Sequence, residues 1–337
     1  MRVMRRVWRA LEISHAAVAD RLSWYASWRH LRSNYVTARW EGGKPLANAP
    51  KIAVLVHFST QKRFADYFLY LLRALDQAGF TTVVVSNSRK LDPESLQTVL
   101  PWCGRVLQRR NLGYDFGAWR DGILLTPEIG EAEQVLILND SIFGPLQDLK
   151  EIIDQCQFDR TDVWGMTDSY DNKYHLQSFF VLFGAKALRS KAFTDFWRQM
   201  RYVGGKRVVI HKYEVGLSQA MLKAGLKLKA LYPYRRLSAA VVDRAMAETI
   251  SHPLLDTYFD RLLEGVNLGR PLNPTHYFWE YLITELRFPF IKRELLEKNP
   301  AGIPLLVNWR STIESTSDYP VELIEDYLQT AARNRVF

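Results

Sequence analysis

Short apolar runs rich in β-branched residues alternate along this chain with stretches of helical periodicity, and that alternation limits the folds open to it. Lys51–Phe58 (KIAVLVHF) reads as a buried strand. Residues 62–78 follow with apolar positions at Phe64, Tyr67, Phe68, Leu71, Leu72 and Leu75, the period of a helix, and Gly79 stops it. Thr81–Ser86 and Arg105–Gln108 read as further strands, and residues 115–125 as a helix. Val135–Asn139, Asp162–Met166 and Ser178–Phe183 complete the strand signals. Such alternation predicts an α/β fold with a largely parallel sheet and helices on both faces. Ligands of these sheets sit beyond the carboxyl ends of the strands. The polar residues expected there are His57, Ser59, Asn87, Asn111, Asn139, Asp140 and Asp168.

From about residue 236 the strand signals fade, and segments 254–264, 277–286, 289–298 and 320–333 read as helices. Residues 41–50 (EGGKPLANAP) read as a linker. The expected division is therefore an N-terminal segment at 1–48, an α/β domain at 49–235 and a helical region at 236–337.

Charge sets the first segment apart. Residues 1–40 hold eight arginines against Glu12 and Asp20, which is +6 of the chain's +9. Apolar residues recur at Val3, Val7, Leu11, Val18, Leu22 and Tyr25, with Trp8, Trp24, Trp28 and Trp40 among them. A basic amphipathic helix with tryptophans suits an anionic membrane surface. A helix packed on its own domain, arginines outward, satisfies the same pattern. The remainder carries only +3 and no DNA- or RNA-binding motif, so nucleic acid is not an expected partner. The two cysteines, Cys103 and Cys156, form neither a disulfide framework nor a zinc motif, which points to a reducing compartment. No run approaches the ~18 apolar residues of a spanning helix. The N-terminus lacks the apolar stretch and cleavage site of a secretory signal, and a cytoplasmic location is expected.

Walker, Gly-x-Ser-x-Gly and His-Glu-x-x-His motifs do not occur, and three constellations carry the candidate chemistry. In residues 109–122 (RRNLGYDFGAWRDG), Gly113 and Gly117 permit close backbone approach, and Arg120 near a loop-to-helix junction suits a diphosphate. A turn followed by a helix that packs Phe116 and Trp119 inward accounts for the same residues. In residues 135–145 (VLILNDSIFGP), an apolar strand ends in Asn139-Asp140-Ser141. Its carboxylate can hold Mg²⁺ or Mn²⁺ against a nucleotide diphosphate, or close an Asx turn. In residues 213–218 (YEVGLS), Glu214 can complement a helix dipole or act as a general base. Asp168, His175 and Gln177 flank a strand, and His276 sits in NPTHYFW. A lone histidine is more often structural than a ligand.

These pieces together resemble the bacterial rhamnan synthesis F family of glycosyltransferases. The matching segments are NLGYDFGAW, LILNDSIFGP, DVWGMTDS, HLQSFFVLF, YEVGLS, NPTHYFW and FPFIKRELL, in order, between about residues 51 and 300. The resemblance implies a GT-A-like nucleotide-sandwich sheet. It implies inverting transfer of a sugar, commonly rhamnose, from a donor such as dTDP- or GDP-rhamnose. The implied acceptor is a polyprenyl-diphosphate-linked glycan at the inner face of the cytoplasmic membrane, extended into rhamnan, O-antigen or capsule. It places His57, Asn111, Gly113, Asp115, Arg120, Asn139 and Asp140 on the donor, and Asp168, His175 and Gln177 on the acceptor side. It makes Glu214 the base, and Asp140 and His276 ligands of Mg²⁺ or Mn²⁺. The usual two-acid metal motif is reduced here to Asp140 alone, which leaves open both weak Mg²⁺ binding helped by the diphosphate and metal-independent transfer with Arg or Lys neutralising the leaving group. That departure leaves open a second class of function, a non-catalytic sugar-nucleotide-binding scaffold subunit of a polysaccharide assembly complex. An epimerase or dehydratase would need Gly-x-Gly-x-x-Gly after the first strand, where HFSTQKRF stands.

Overall fold

A computed structural model describes residues 35–247 and 253–333, together with Leu22 and Trp24. The chain opens there with strand β1 (Val36–Glu41), followed by β2 (Lys51–His57), β3 (Thr81–Ser86), β4 (Arg105–Arg109) and β5 (Gln134–Asn139). After them come the short β6 (Ile142–Phe143), then β7 (Val163–Ser169), β8 (His175–Leu176), β9 (Phe180–Gly184), β10 (Leu228–Tyr232) and the short β11 (Ile291–Lys292).

The main sheet runs β1-β4-β3-β2-β5-β9-β7-β10, with β8 paired off β7. Strands β4, β3, β2 and β5 are mutually parallel. Strand β9 runs against both β5 and β7, β10 is parallel to β7, and β1 is antiparallel to β4. The carboxyl ends of six strands therefore share one edge, and β9 starts at that edge.

Period-two alternation explains why the central strands are apolar throughout. In β2, Ala53 and Leu55 enter one core while Ile52, Val54 and Val56 enter the other. The first core is covered by helix Asp66–Gln77 and by the C-terminal region through Leu282, Phe288, Leu295, Ile313 and Ile324. The second is covered by helices Tyr114–Leu124, Lys191–Gln199 and Val215–Lys223. The α/β class, the largely parallel sheet and the helical C-terminal region are as the sequence predicts.

Three differences have physical causes. Residues 36–41, which the sequence pattern assigned to the helical N-terminal segment, form edge strand β1 instead. Strand β10 lies at the opposite edge and carried no strand signal. Neither edge strand has a fully buried residue, so neither shows the continuous apolar run of a central strand. The expected helix at 289–298 begins only at Arg293, because Ile291 and Lys292 pair with β6. Apart from Leu22, Trp24 and Trp40, the residues of the N-terminal amphipathic pattern fall outside the described residues. Of that pattern, Trp24 lies against the domain's own surface, its ring 4.7 Å from the Arg201 guanidinium and 5.1 Å from the Lys212 ammonium.

Candidate active site

The site grows from the end of β5. Asp140 N–H donates to Val56 O (3.0 Å), so the chain stays paired with β2 one residue beyond the strand. Asp140 Oδ2 accepts the Phe58 N–H at 3.0 Å. On its other side stands Arg293, Nη1 3.5 Å from the same oxygen. Arg293 Nη1 also donates to the Tyr67 hydroxyl (2.7 Å), which reaches back toward Asp140 O (3.4 Å). Burial works against the Arg293 charge, but Asp140 together with Tyr67, Tyr327 and Glu297 more than restores it and leaves the guanidinium firmly protonated.

The residues on either side extend this cluster. Asn139 Nδ2 donates to Asp115 Oδ2 (2.8 Å), while Asn139 Oδ1 accepts from Ser141 Oγ (2.6 Å). Ser141 Oγ in turn accepts from Lys292 Nζ (3.2 Å). Burial pushes the Asp115 carboxyl up to about 6, and the neighbouring Asp140 charge adds to the rise. Burial pushes the Lys292 ammonium down to about 7, against the pull of Glu214, Asp115 and Glu294.

The local structure that delivers Lys292 and Arg293 is a two-stranded ribbon. β11 pairs antiparallel with β6, Lys292 opposite Ile142. Arg293 N–H then donates to Ser141 O (2.9 Å). The C-terminal region thus hydrogen-bonds directly to the turn that carries Asp140.

Glu214 enters from the second face. It closes a π-helical turn, Ile210–Glu214, lying between the helical segments Lys206–Val209 and Val215–Lys223. The sequence pattern put Glu214 at a helix start. The helix actually begins at Lys206, so a dipole-complementing role does not apply. π-turns inside helices recur at functional sites because they re-aim one side chain. Glu214 Oε1 accepts from both the N–H and the Oγ of Ser178, each 2.9 Å, just before β9.

The remaining expected residues divide. His57 is buried at the end of β2, its Nδ1 3.0 Å from Ser86 Oγ, and burial pushes it down to about 4 against the pull of Asp140. Gln177 Nε2 donates to Asn273 Oδ1 (3.3 Å), the cap of the short helix that carries His276. Burial, with Lys292 next in weight, pushes His276 down to about 4. Asp168 accepts the Tyr234 N–H (2.6 Å), and burial raises its pKa. His175 Nδ1 donates to Lys173 O (2.8 Å). Arg120 is engaged by the Tyr202 hydroxyl and by Asp121 (3.4 Å), beside the buried Arg109–Asp121 pair (2.7 Å). Asn111 is exposed. Gly113 takes φ +80 to turn into helix Tyr114–Leu124. At Gly117 a Cβ would stand 2.3 Å from Leu112 O, so the close approach there is the chain's own.

A cavity of about 810 Å³ opens beyond the end of β2. His57, the loop from Phe58 to Phe64, Tyr67, Arg293 and Tyr327 line it. That volume lies within the ~300–1,000 Å³ range of small-ligand sites. Tyr67, Lys292, Arg293 and Tyr327 had no role in the sequence reading. The adjacent cations of FPFIKRELL were the available signal, but nothing local ties them to residues 139–141.

The donor set does not suit a resident divalent ion. Mg²⁺ takes one or two free carboxylates and fills its remaining positions with water and substrate phosphates. Here one carboxylate, Asp140, already accepts a backbone N–H and faces a guanidinium, and a buried lysine stands beside it. Among the described residues, no three His, Cys, Asp or Glu side chains converge on a metal-sized position.

A family model described as Rhamnan synthesis protein F matches residues 82–257. Among curated proteins, "Virulence protein VirA" of Vibrio anguillarum is 28% identical over 300 residues, covering 87% of this chain and 94% of that protein. "Uncharacterized protein y4gN" of Sinorhizobium fredii is 30% identical over 229 residues. That match covers 66% of this chain and 58% of the S. fredii protein's length. Among solved structures, galactosyltransferase LgtC in complex with donor and acceptor sugar analogues is 11% identical. It covers 80% of this chain and 98% of its own, with a TM-score of 0.36. Mannosyltransferase PcManGT from Pyrobaculum calidifontis, in complex with GDP-Man and Mn²⁺, is 12% identical, covers 96% and 90%, and has a TM-score of 0.34. By the match over more than half its length, this chain belongs to the rhamnan synthesis protein F family.

Proposed function

We propose that this chain is an inverting glycosyltransferase that moves a sugar, rhamnose in the first instance, from a nucleotide-sugar to a glycan acceptor. The observation that carries the reading is a convergence at one sheet edge. Asp140 and the Lys292–Arg293 pair lie at the end of β5, Glu214 acts electrostatically on Lys292, and Arg293 lines a ligand-sized cavity. In the reaction the acceptor oxygen bonds to the anomeric carbon as the bond from that carbon to the diphosphate oxygen breaks. The electron pair leaves with the nucleoside diphosphate, and Glu214 takes the acceptor's proton. Ser178 holds Glu214 Oε1, fixing the carboxylate for that task. Asp168, His175 and Gln177 are assigned to the acceptor side, and dTDP- or GDP-rhamnose is the donor to try first. A polyprenyl-diphosphate-linked glycan would bring the acceptor to the inner membrane surface. Among the described residues no helix is long and apolar enough to cross a membrane.

The test is consumption of dTDP-, GDP- and UDP-sugars by purified protein with a lipid-linked acceptor mimic. Glu214→Gln should lower turnover by roughly 10²–10⁴-fold while donor binding survives. Undiminished turnover in that variant removes Glu214 from the role. The ion-paired single acid favours one other reading, a sugar-nucleotide-binding scaffold, which requires binding without consumption in the presence of acceptor.

A further inference from the structure

This inference rests on the glycosyl-transfer reading and adds to it. We propose that Lys292 and Arg293 together supply the positive charge that holds the donor's diphosphate and stabilises its departure, so that this chain needs no divalent ion for the step.

Three observations lead there. First, the position of the pair is fixed. The β6–β11 ribbon and the bond from Arg293 N–H to Ser141 O (2.9 Å) hold both residues against the turn at the end of β5. Second, Arg293 occupies one side of Asp140, 3.5 Å from Oδ2, and it also lines the 810 Å³ cavity. A guanidinium presents a planar fork of donors that matches phosphate oxygens. Third, Lys292 is held in a costly place. Its Nζ lies 3.8 Å over the Phe179 ring, donates to Ser141 Oγ, and has Glu214, Asp115 and Glu294 as acidic neighbours. Burying an ammonium is unfavourable unless partners offset it. A bound diphosphate is a stronger partner than any of these, because it adds two or more negative charges at once.

The charge balance closes without a metal. As the anomeric carbon–oxygen bond breaks, the electron pair goes to the terminal phosphate oxygen, and the two cations meet the charge that develops there.

The experiment is calorimetric binding of ADP, CDP, GDP, dTDP and UDP to the full chain, in EDTA and then in Mg²⁺ or Mn²⁺. At least one should bind with the same affinity in all three conditions. Lys292→Met should weaken that binding about tenfold or more, and Lys292→Arg should retain most of it. Arg293→Met is made together with Asp140→Asn, so that no carboxylate is stranded, and should weaken binding similarly. Binding that appears only with the ion overturns the proposal on the unaltered chain, whatever the variants do. So does wild-type affinity in a Lys292→Met protein with an unchanged near-ultraviolet circular dichroism spectrum. Failure of all five to bind in every condition overturns the nucleotide-sugar reading itself, and this assignment with it.

Discussion

His57 stands at the end of β2 with its ring centroid 4.3 Å from that of Phe64 and 5.0 Å from that of Phe68. In that surrounding the imidazole stays neutral down to about pH 4, while the unfolded chain takes up its proton near 6.5. Its contribution to stability is therefore complete above about 6.5 and is lost as the pH falls toward 4. The loss at the low end is on the order of 3 kcal/mol. Urea unfolding between pH 4 and 8 should show this decline, and His57→Gln should flatten it. An unchanged slope in the variant would assign the acid sensitivity to other groups. At this scale the sequence was informative where chemistry follows from position in a strand. Asp140 had to fall at the ligand edge because four consecutive apolar residues, Val135 to Leu138, lead into Asn139 and the end of the strand. Its partner could not be read, because Arg293 lies far along the chain, beyond every local pattern. The surroundings of Arg120 were hidden for a related reason. The tyrosine that engages it, Tyr202, lies 82 residues away.

The element that matters most is the smallest. β6 and β11 have two residues each, and they couple the C-terminal region to the turn after β5. Gly144, next in sequence, adopts φ +130, and a Cβ there would stand 2.4 Å from Pro289 O. That oxygen already accepts the Leu146 N–H at 2.7 Å. Gly144→Ala should therefore cost about 2 kcal/mol through backbone strain and overpacking. Because the ribbon would shift, it should also weaken nucleoside diphosphate binding. Thermal unfolding and calorimetry on one preparation check both effects, and a stable variant with intact binding would show the ribbon is dispensable. Long apolar elements were legible, since burial on two faces demands continuous apolar sequence. β1, β10 and the ribbon were not, because edge strands and two-residue pairings impose no such demand. The π-turn before Glu214 was also hidden, because its widened hydrogen-bond ring leaves no mark on apolar spacing.

On the scale of the whole molecule, the sheet order decides what can fold alone. Strand β2 pairs with β3 on one side and β5 on the other, in the middle of the parallel set. The segment matched by the family model, residues 82–257, omits β2 entirely. It also omits Leu282, Phe288, Ile291, Leu295 and Ile313, which are buried in the core shared with Leu136, Phe143 and Leu182. A fragment spanning 82–257 should thus lack near-ultraviolet circular dichroism structure and aggregate, whereas the full chain folds. A soluble, cooperatively unfolding fragment would contradict this. The class of fold followed from strand–helix alternation, but the closing of one edge by the C-terminal region did not, since helices that cover a sheet have the same periodicity wherever they dock.

The ribbon also has a consequence in time. Ser141 and Lys292 are 151 positions apart, and synthesis delivers them in that order. A chain still on the ribosome carries Asp140 long before its two cations exist. The acid arrives first and waits for its counter-charge until Lys292 and Arg293 have been made.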